Sequence, residues 1–213
     1  MIASALQSAI YVVSTSLLYP VVVLLLFLVA WVAVELGGFL YELFSRFRSP
    51  NRLESGITDA MAAESRSDGV RRVLDSASSR MLHEFLKDLL RLVESDGGGD
   101  EKLPVRVEKL LQDYELLAAK RLERTRILVR IGPMLGLMGT LIPMGPALLA
   151  LTHGDVQTLA NNLIIAFGTT VVGLLVGGVA FVISTIRERW YSQDLSDMAY
   201  VCEMLFGGVG ESV

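Results

Sequence analysis

The chain has 213 residues, 52% of them hydrophobic, and a mean hydropathy of +0.51, which is more apolar surface than a water-soluble fold can hide and points to a membrane protein. A formal net charge of −4 with a pI near 5.3 supplies no basic field and argues against a nucleic-acid partner. A single cysteine, Cys202, excludes a disulfide framework within the chain, and His83 and His153 stand far from other residues at metal-ligand spacing, so no metal or other cofactor is expected.

In chain order, residues 1–16 read as a short extracytoplasmic N-terminus and residues 17–36 as a first transmembrane helix, nearly free of charge. About 20 apolar residues suffice to cross a hydrocarbon core of about 30 Å at about 1.5 Å per residue. This segment has no basic stretch before it, is too long for a signal-peptide core and lacks a small-x-small cleavage site, so it reads as a retained helix. Glu35 at its end marks the interface or belongs to an ion path.

Residues 37–126 form a polar connection too long for a turn, expected to be a helical cytoplasmic domain. Val70, Val73, Leu74, Met81, Leu82, Phe85, Leu86, Leu89 and Leu90 recur at helical spacing, and Ser95-Asp96-Gly97-Gly98-Gly99 breaks the pattern. Val107, Leu110, Leu111, Tyr114, Leu117, Ala118 and Leu122 then form the apolar face of a helix beginning near Pro104. Nothing stops it before a second span at residues 127–151, which predicts one long helix projecting from the membrane. A turn at residues 152–158 and a third span at residues 159–186 follow. Residues 187–213 form a C-terminal helix and tail, with Leu195, Met198, Cys202 and Leu205 on one face that docks on the projecting helix or on a neighbouring subunit. The end from Gly207 is expected to fray.

Of the 19 Lys and Arg residues, 16 lie between Arg46 and Arg126. By the positive-inside rule the long connection and the C-terminus are then cytoplasmic, while the N-terminus and the 152–158 turn are outside. His153 and Asp155 form an ordinary polar turn or gather protons at an outer mouth.

Inside the membrane, Gly132, Gly136 and Gly139 share one stripe of the second span, and Asn162, Ala166, Thr170, Gly173 and Gly177 share one stripe of the third. Small residues so spaced let helix backbones approach closely in lipid, so the two stripes face each other or a neighbouring subunit. Packing alone explains much of this pattern. Thr140 and Thr170, with backbone carbonyls freed by Pro133, Pro143 and Pro146, also suit the lining of a hydrated path. No P-loop, catalytic triad or carboxylate pair occurs, so no enzyme is expected.

Gly132-Pro133, Gly136-Leu137-Met138-Gly139-Thr140 and Ala166-Phe167-Gly168-Thr169-Thr170-Val171-Val172-Gly173-Leu174 resemble the last two spans of the MotA/TolQ/ExbB proton-channel family. The motifs cover roughly residues 127–190. The three-span topology, with an outer N-terminus and a large loop after the first span, resembles the TolQ and ExbB branch. The resemblance implies a homopentamer around two copies of a smaller single-span partner of the ExbD/TolR/MotB type, which carries an essential membrane aspartate. It also implies location in the cytoplasmic (inner) membrane of a prokaryote and ion flow that turns one component against the other.

Carried over to this chain, the resemblance makes Thr140 and Thr170 the pore-facing threonines beside the partner's aspartate. Gly132, Pro133, Gly136, Gly139, Pro143, Gly173 and Gly177 become packing or kink positions. Two departures stand out. Ile165 occupies the place of a glutamate found in ExbB- and TolQ-like members, and no carboxylate lies within the second or third span, so the pattern there is MotA-like. Pro143 replaces a usual small residue. Asn161 and Asn162 either restore polarity or cap the third helix, with capping the favoured reading. Thr169 adds a hydroxyl that keeps sodium open beside the proton as the transported ion.

The expected fold is therefore an all-α membrane protein with three transmembrane helices, long cytoplasmic helical extensions and a pentameric assembly. Its expected function is that of an ion-channel subunit coupling ion flow to mechanical work. The alternative is a non-conducting scaffold whose cytoplasmic helices recruit other proteins.

Overall fold

The computed structural model describes residues 6, 9, 12–48, 57, 66–77, 79–96 and 102–206. Every regular element among them is a helix: α1 (Leu18–Arg48), α2 (Arg66–Asp75), α3 (Arg80–Asp96), α4 (Leu103–Thr152) and α5 (Val156–Phe206). With 50 and 51 residues, α4 and α5 are each about 75 Å long, more than twice the thickness of a hydrocarbon core. The predicted continuity of the second span with the helix before it is thus observed. Pro133, Pro143 and Pro146 all lie inside α4. Each removes one backbone donor.

Three helices among the described residues are long and apolar enough to cross a membrane, covering Val12–Arg46, Leu103–Thr152 and Val156–Phe206. The chain divides into two compact units, an apolar one made of Met1–Phe39 and Glu123–Thr185 and a polar one made of Leu40–Leu122 and Ile186–Val213.

In the apolar unit, α1 contributes one inward stripe. Leu28 and Val32 pack with Leu128 of α4 and with Val176 and Ala180 of α5. Its other face, including Tyr19, Val23, Phe27 and Val34, is exposed. An apolar face of this extent would be insoluble in water, whereas lipid tails or another protein cover it without cost.

The polar unit has a conventional hydrophobic core. Val70 and Val73 of α2, Met81, Leu82, Phe85, Leu86 and Leu89 of α3, Val107, Tyr114, Ala118 and Leu122 of α4, and Tyr191, Met198, Val201 and Cys202 of α5 are buried together. The predicted C-terminal face thus docks on α4 of its own chain. Ser79 starts α3 by accepting the Leu82 N–H on its Oγ at 3.0 Å, a side-chain N-cap. Phe85 meets the Tyr114 ring edge-on at 5.2 Å, and the Tyr114 hydroxyl donates to Asp88 Oδ2 at 2.9 Å. Burial first, then this hydrogen bond, push the Tyr114 phenol above its ordinary range. α3 runs to Asp96, through the first two residues of the break expected from Ser95. The glycines at 97–99 and the expected fraying from Gly207 lie outside the described residues.

Candidate functional site: the seam between α4 and α5

The turn that brings α4 and α5 side by side is built by two residues. Gly154 takes φ of 74°, a left-handed conformation that a side chain resists. Gly154 N–H reaches back to Leu151 O at 3.1 Å and Asp155 N–H to Ala150 O at 3.0 Å, the paired bonds of a Schellman ending. Asp155 then caps α5, its Oδ1 accepting the Thr158 N–H at 3.0 Å. Hydrogen bonds from Thr158 hold the Asp155 carboxyl below its usual range. This corrects the expectation that Asn161 or Asn162 caps the helix. Both lie inside α5, where the Asn162 amide donates to Thr158 O at 3.0 Å and Asn161 Oδ1 accepts from Gln157 at 3.3 Å. The aspartate at the first position outside the helix reaches the free N–H groups, and residues a turn further on cannot.

From that turn the two helices run antiparallel with their glycines in register. A Cβ placed on Gly173 would stand 2.6 Å from Gly132 O and 2.7 Å from Gly136 Cα, and one on Gly132 would stand 2.9 Å from Gly173 O. One on Gly177 would strike the Pro133 ring at 2.7 Å, and one on Gly139 would meet Thr169 Oγ1 at 2.5 Å. The stripes at 132, 136 and 139 and at 173 and 177 therefore face each other within one chain. Pro133 fills the space that Gly177 leaves.

The hydroxyls expected along an ion path lie on and beside this seam. Thr170 Oγ1 donates across it to Gly136 O at 3.3 Å. Thr169 Oγ1 donates to Ala166 O at 2.8 Å and Thr140 Oγ1 to Leu137 O at 2.7 Å. All three threonines are half-buried. A hydroxyl has one proton and two lone pairs. With the proton committed to a carbonyl, each oxygen can still accept a hydrogen bond from an acid or bind a cation. Pro143 is buried, and having no N–H it cannot bond the Gly139 carbonyl one turn earlier.

The structure brings Thr169, Thr170, Gly132, Pro133, Gly136, Gly139, Gly173 and Gly177 together. Asn162 stands apart, eight residues or about 12 Å along α5 from Thr170. Ile165 is 41% exposed and brings no polarity to the place of the missing glutamate. Glu35 is half-buried on α1.

The model of the MotA/TolQ/ExbB proton channel family matches residues 49–199. The chain belongs to the MotA/TolQ/ExbB proton channel family. A comparison with curated proteins gives no match to this chain. Membership makes this a membrane channel-type subunit of a family that works with single-span partner proteins, and not a member of an enzyme family.

One buried polar residue of α4 escaped the sequence reading. Thr125 on α4 is fully buried, and its Oγ1 has no hydrogen-bond partner among the described residues. Its flanking residues, Arg124 and Arg126, are exposed, so the local sequence looks like a solvated helix and hides the buried hydroxyl.

Proposed function

We propose that this MotA/TolQ/ExbB family chain is the ion-conducting subunit of a membrane motor and that its transported ion is the proton, with sodium as the alternative. Five copies surround two copies of a single-span protein of the ExbD/TolR/MotB type. The N-terminus and the turn at Gly154 lie outside, and the polar unit lies in the cytoplasm beneath a prokaryotic inner membrane. Thr140 and Thr170 stand beside the partner's membrane aspartate, with Thr169 and Asn162 on the approach.

The observation that carries this reading is the state of the hydroxyls. Thr140, Thr169 and Thr170 each give their proton to a backbone carbonyl and keep lone pairs for an incoming acid or cation. A charge at mid-membrane costs about 3 kcal/mol on insertion scales. Polar oxygens that need no charge of their own lower that barrier for a partner carboxyl as it loads and releases a proton. A membrane potential adds about 2.3 kcal/mol per charge per 100 mV, so the ion gradient drives the work without a nucleotide site.

The test is substitution of both threonines in the complete complex. Thr140→Val with Thr170→Val should abolish ion-dependent work while assembly persists, and the serine pair should restore most of it. Full ion-dependent work in the valine pair refutes the assignment. A complex that purifies with no single-span partner favours the scaffold.

A further inference from the structure

Asp194 of α5 is 2% exposed, and a carboxylate so buried requires partners. It has them on two other elements of the polar unit. Arg46 of α1 donates from both terminal nitrogens, Nη1 to Oδ1 at 3.1 Å and Nη2 to Oδ2. Ser79, the N-cap of α3, hydrogen-bonds to it as well. The Arg46 guanidinium also lies 5.1 Å from the Trp190 ring centre, a cation–π contact. Around this group stand Glu42 of α1, 3.9 Å from Arg46 and 3.4 Å from Arg187 of α5. Asp197 of α5 also acts on Asp194, and Arg121 of α4 acts on the neighbouring Tyr191. One carboxylate thus ties the end of α1 to α5 and to the start of α3.

We propose that Asp194 is an acid-operated latch: ionised, it clamps the end of α1 against α5 and the α3 cap, and acidification of the compartment bathing the polar unit opens the clamp. The charge-assisted fork between guanidinium and carboxylate is strong only while both groups are charged. Burial pushes the Asp194 carboxyl above the usual aspartate range, and the Arg46 and Ser79 contacts oppose this without reversing it. Arg46 keeps 21% of its side chain exposed, so on losing its counter-charge it can turn to water or to Glu42 while the neutral Asp194 stays buried. Without the guanidinium the Asp194 pKa is higher still, which is why acid favours the open clamp.

The direction of the effect separates a latch from acid unfolding. A carboxyl whose pKa is raised in the folded state binds its proton more readily folded than unfolded, so its protonation favours the folded unit, and the contribution fades as pH rises. Acid therefore loosens one tie and leaves the unit folded. Under the proposed orientation the compartment is the cytoplasm, where conducted protons arrive, and the latch then senses the product of the flow. That last step alone rests on the proposed function.

The experiment reads the latch without reference to conduction. In the full chain in lipid nanodiscs, Trp31→Phe leaves Trp190 as the sole tryptophan. Its emission should shift between pH 8 and pH 4 with a midpoint above about 3.9, the ordinary aspartate value. Amide exchange over residues 40–46, corrected for intrinsic rate, should rise about tenfold in the same step. Helical content should stay constant. Asp194→Asn should show the acid-state emission at every pH, and Asp197→Asn should keep the transition. A flat wild-type emission and exchange profile, a transition that survives Asp194→Asn, or loss of helix in the same step overturns the proposal. If Asp194→Asn fails to fold, the wild-type exchange profile alone decides.

Discussion

Replacing Gly173 by alanine tests the α4/α5 seam most sharply. The new methyl would lie 2.6 Å from Gly132 O and 2.7 Å from Gly136 Cα, where ordinary contact begins at 3.4 Å. Both obstacles are backbone atoms, which cannot rotate away, so the helices must part by about 0.8 Å. A gap of that size forfeits a quarter to a half of the dispersion energy at each contact it opens. It also stretches the Thr170 bond to Gly136 O, already 3.3 Å, past the limit of a hydrogen bond. Overpacking typically costs about 1–3 kcal/mol and an interhelical hydrogen bond in lipid about 0.6 kcal/mol. A loss of about 2 kcal/mol is expected, roughly thirtyfold in the unfolding equilibrium. The assay is unfolding in mixed detergent followed by circular dichroism, beside Gly37→Ala and Gly178→Ala, whose methyls meet nothing within 4 Å. A Gly173→Ala protein within about 0.5 kcal/mol of wild type, or an equal loss at Gly37 and Gly178, would refute the seam geometry.

Thr170→Val keeps the side-chain shape and removes only the bond to Gly136 O. Stability should fall by about 0.6 kcal/mol in the same unfolding assay while ion-dependent work falls far more, and equal proportional losses would make Thr170 a packing residue. Tyr114→Phe should cost about 1 kcal/mol in thermal unfolding, the worth of its bond to Asp88. The wild-type phenol, raised by burial, should remain protonated at pH 10.5 by ultraviolet absorbance. Its contribution to stability is complete below the unfolded value of about 10 and is lost as pH rises through the higher folded value. Burial pushes the Cys202 thiol up to about 12, leaving roughly one molecule in ten thousand as thiolate at pH 8. Maleimide should therefore modify Cys202 slowly in the folded chain and completely in dodecyl sulfate, and rapid labelling of the folded chain would contradict its burial.

The three membrane helices were legible because a run of about 20 apolar residues has few other uses. The continuity of α4 was legible too, since no turn residue separates Leu122 from Ile127. The glycine stripes were legible as stripes, but their partner was not. Spacing on one helix fixes a face, and the same face fits either a neighbouring helix of the chain or another subunit. The cap at Asp155 was missed because an asparagine pair looks equally suited to it, and the choice depends on which residue is first outside the hydrogen-bonded turn. Asp194 was invisible as a hub because its partner Arg46 lies 148 positions away and both residues read locally as surface charges. Thr125 was hidden for a similar reason, since a hydroxyl between two arginines gives no sign of being fully enclosed.

The central claim is that Thr140 and Thr170 serve a passing ion. Its most direct measurement is proton uptake into proteoliposomes that hold the complete complex, under an imposed potential and with a pH-sensitive dye inside. Wild type should acidify the lumen in step with the potential, the serine pair should follow it, and Thr140→Val with Thr170→Val should sit at the level of empty vesicles. Undiminished uptake by an intact valine-pair complex would contradict the account.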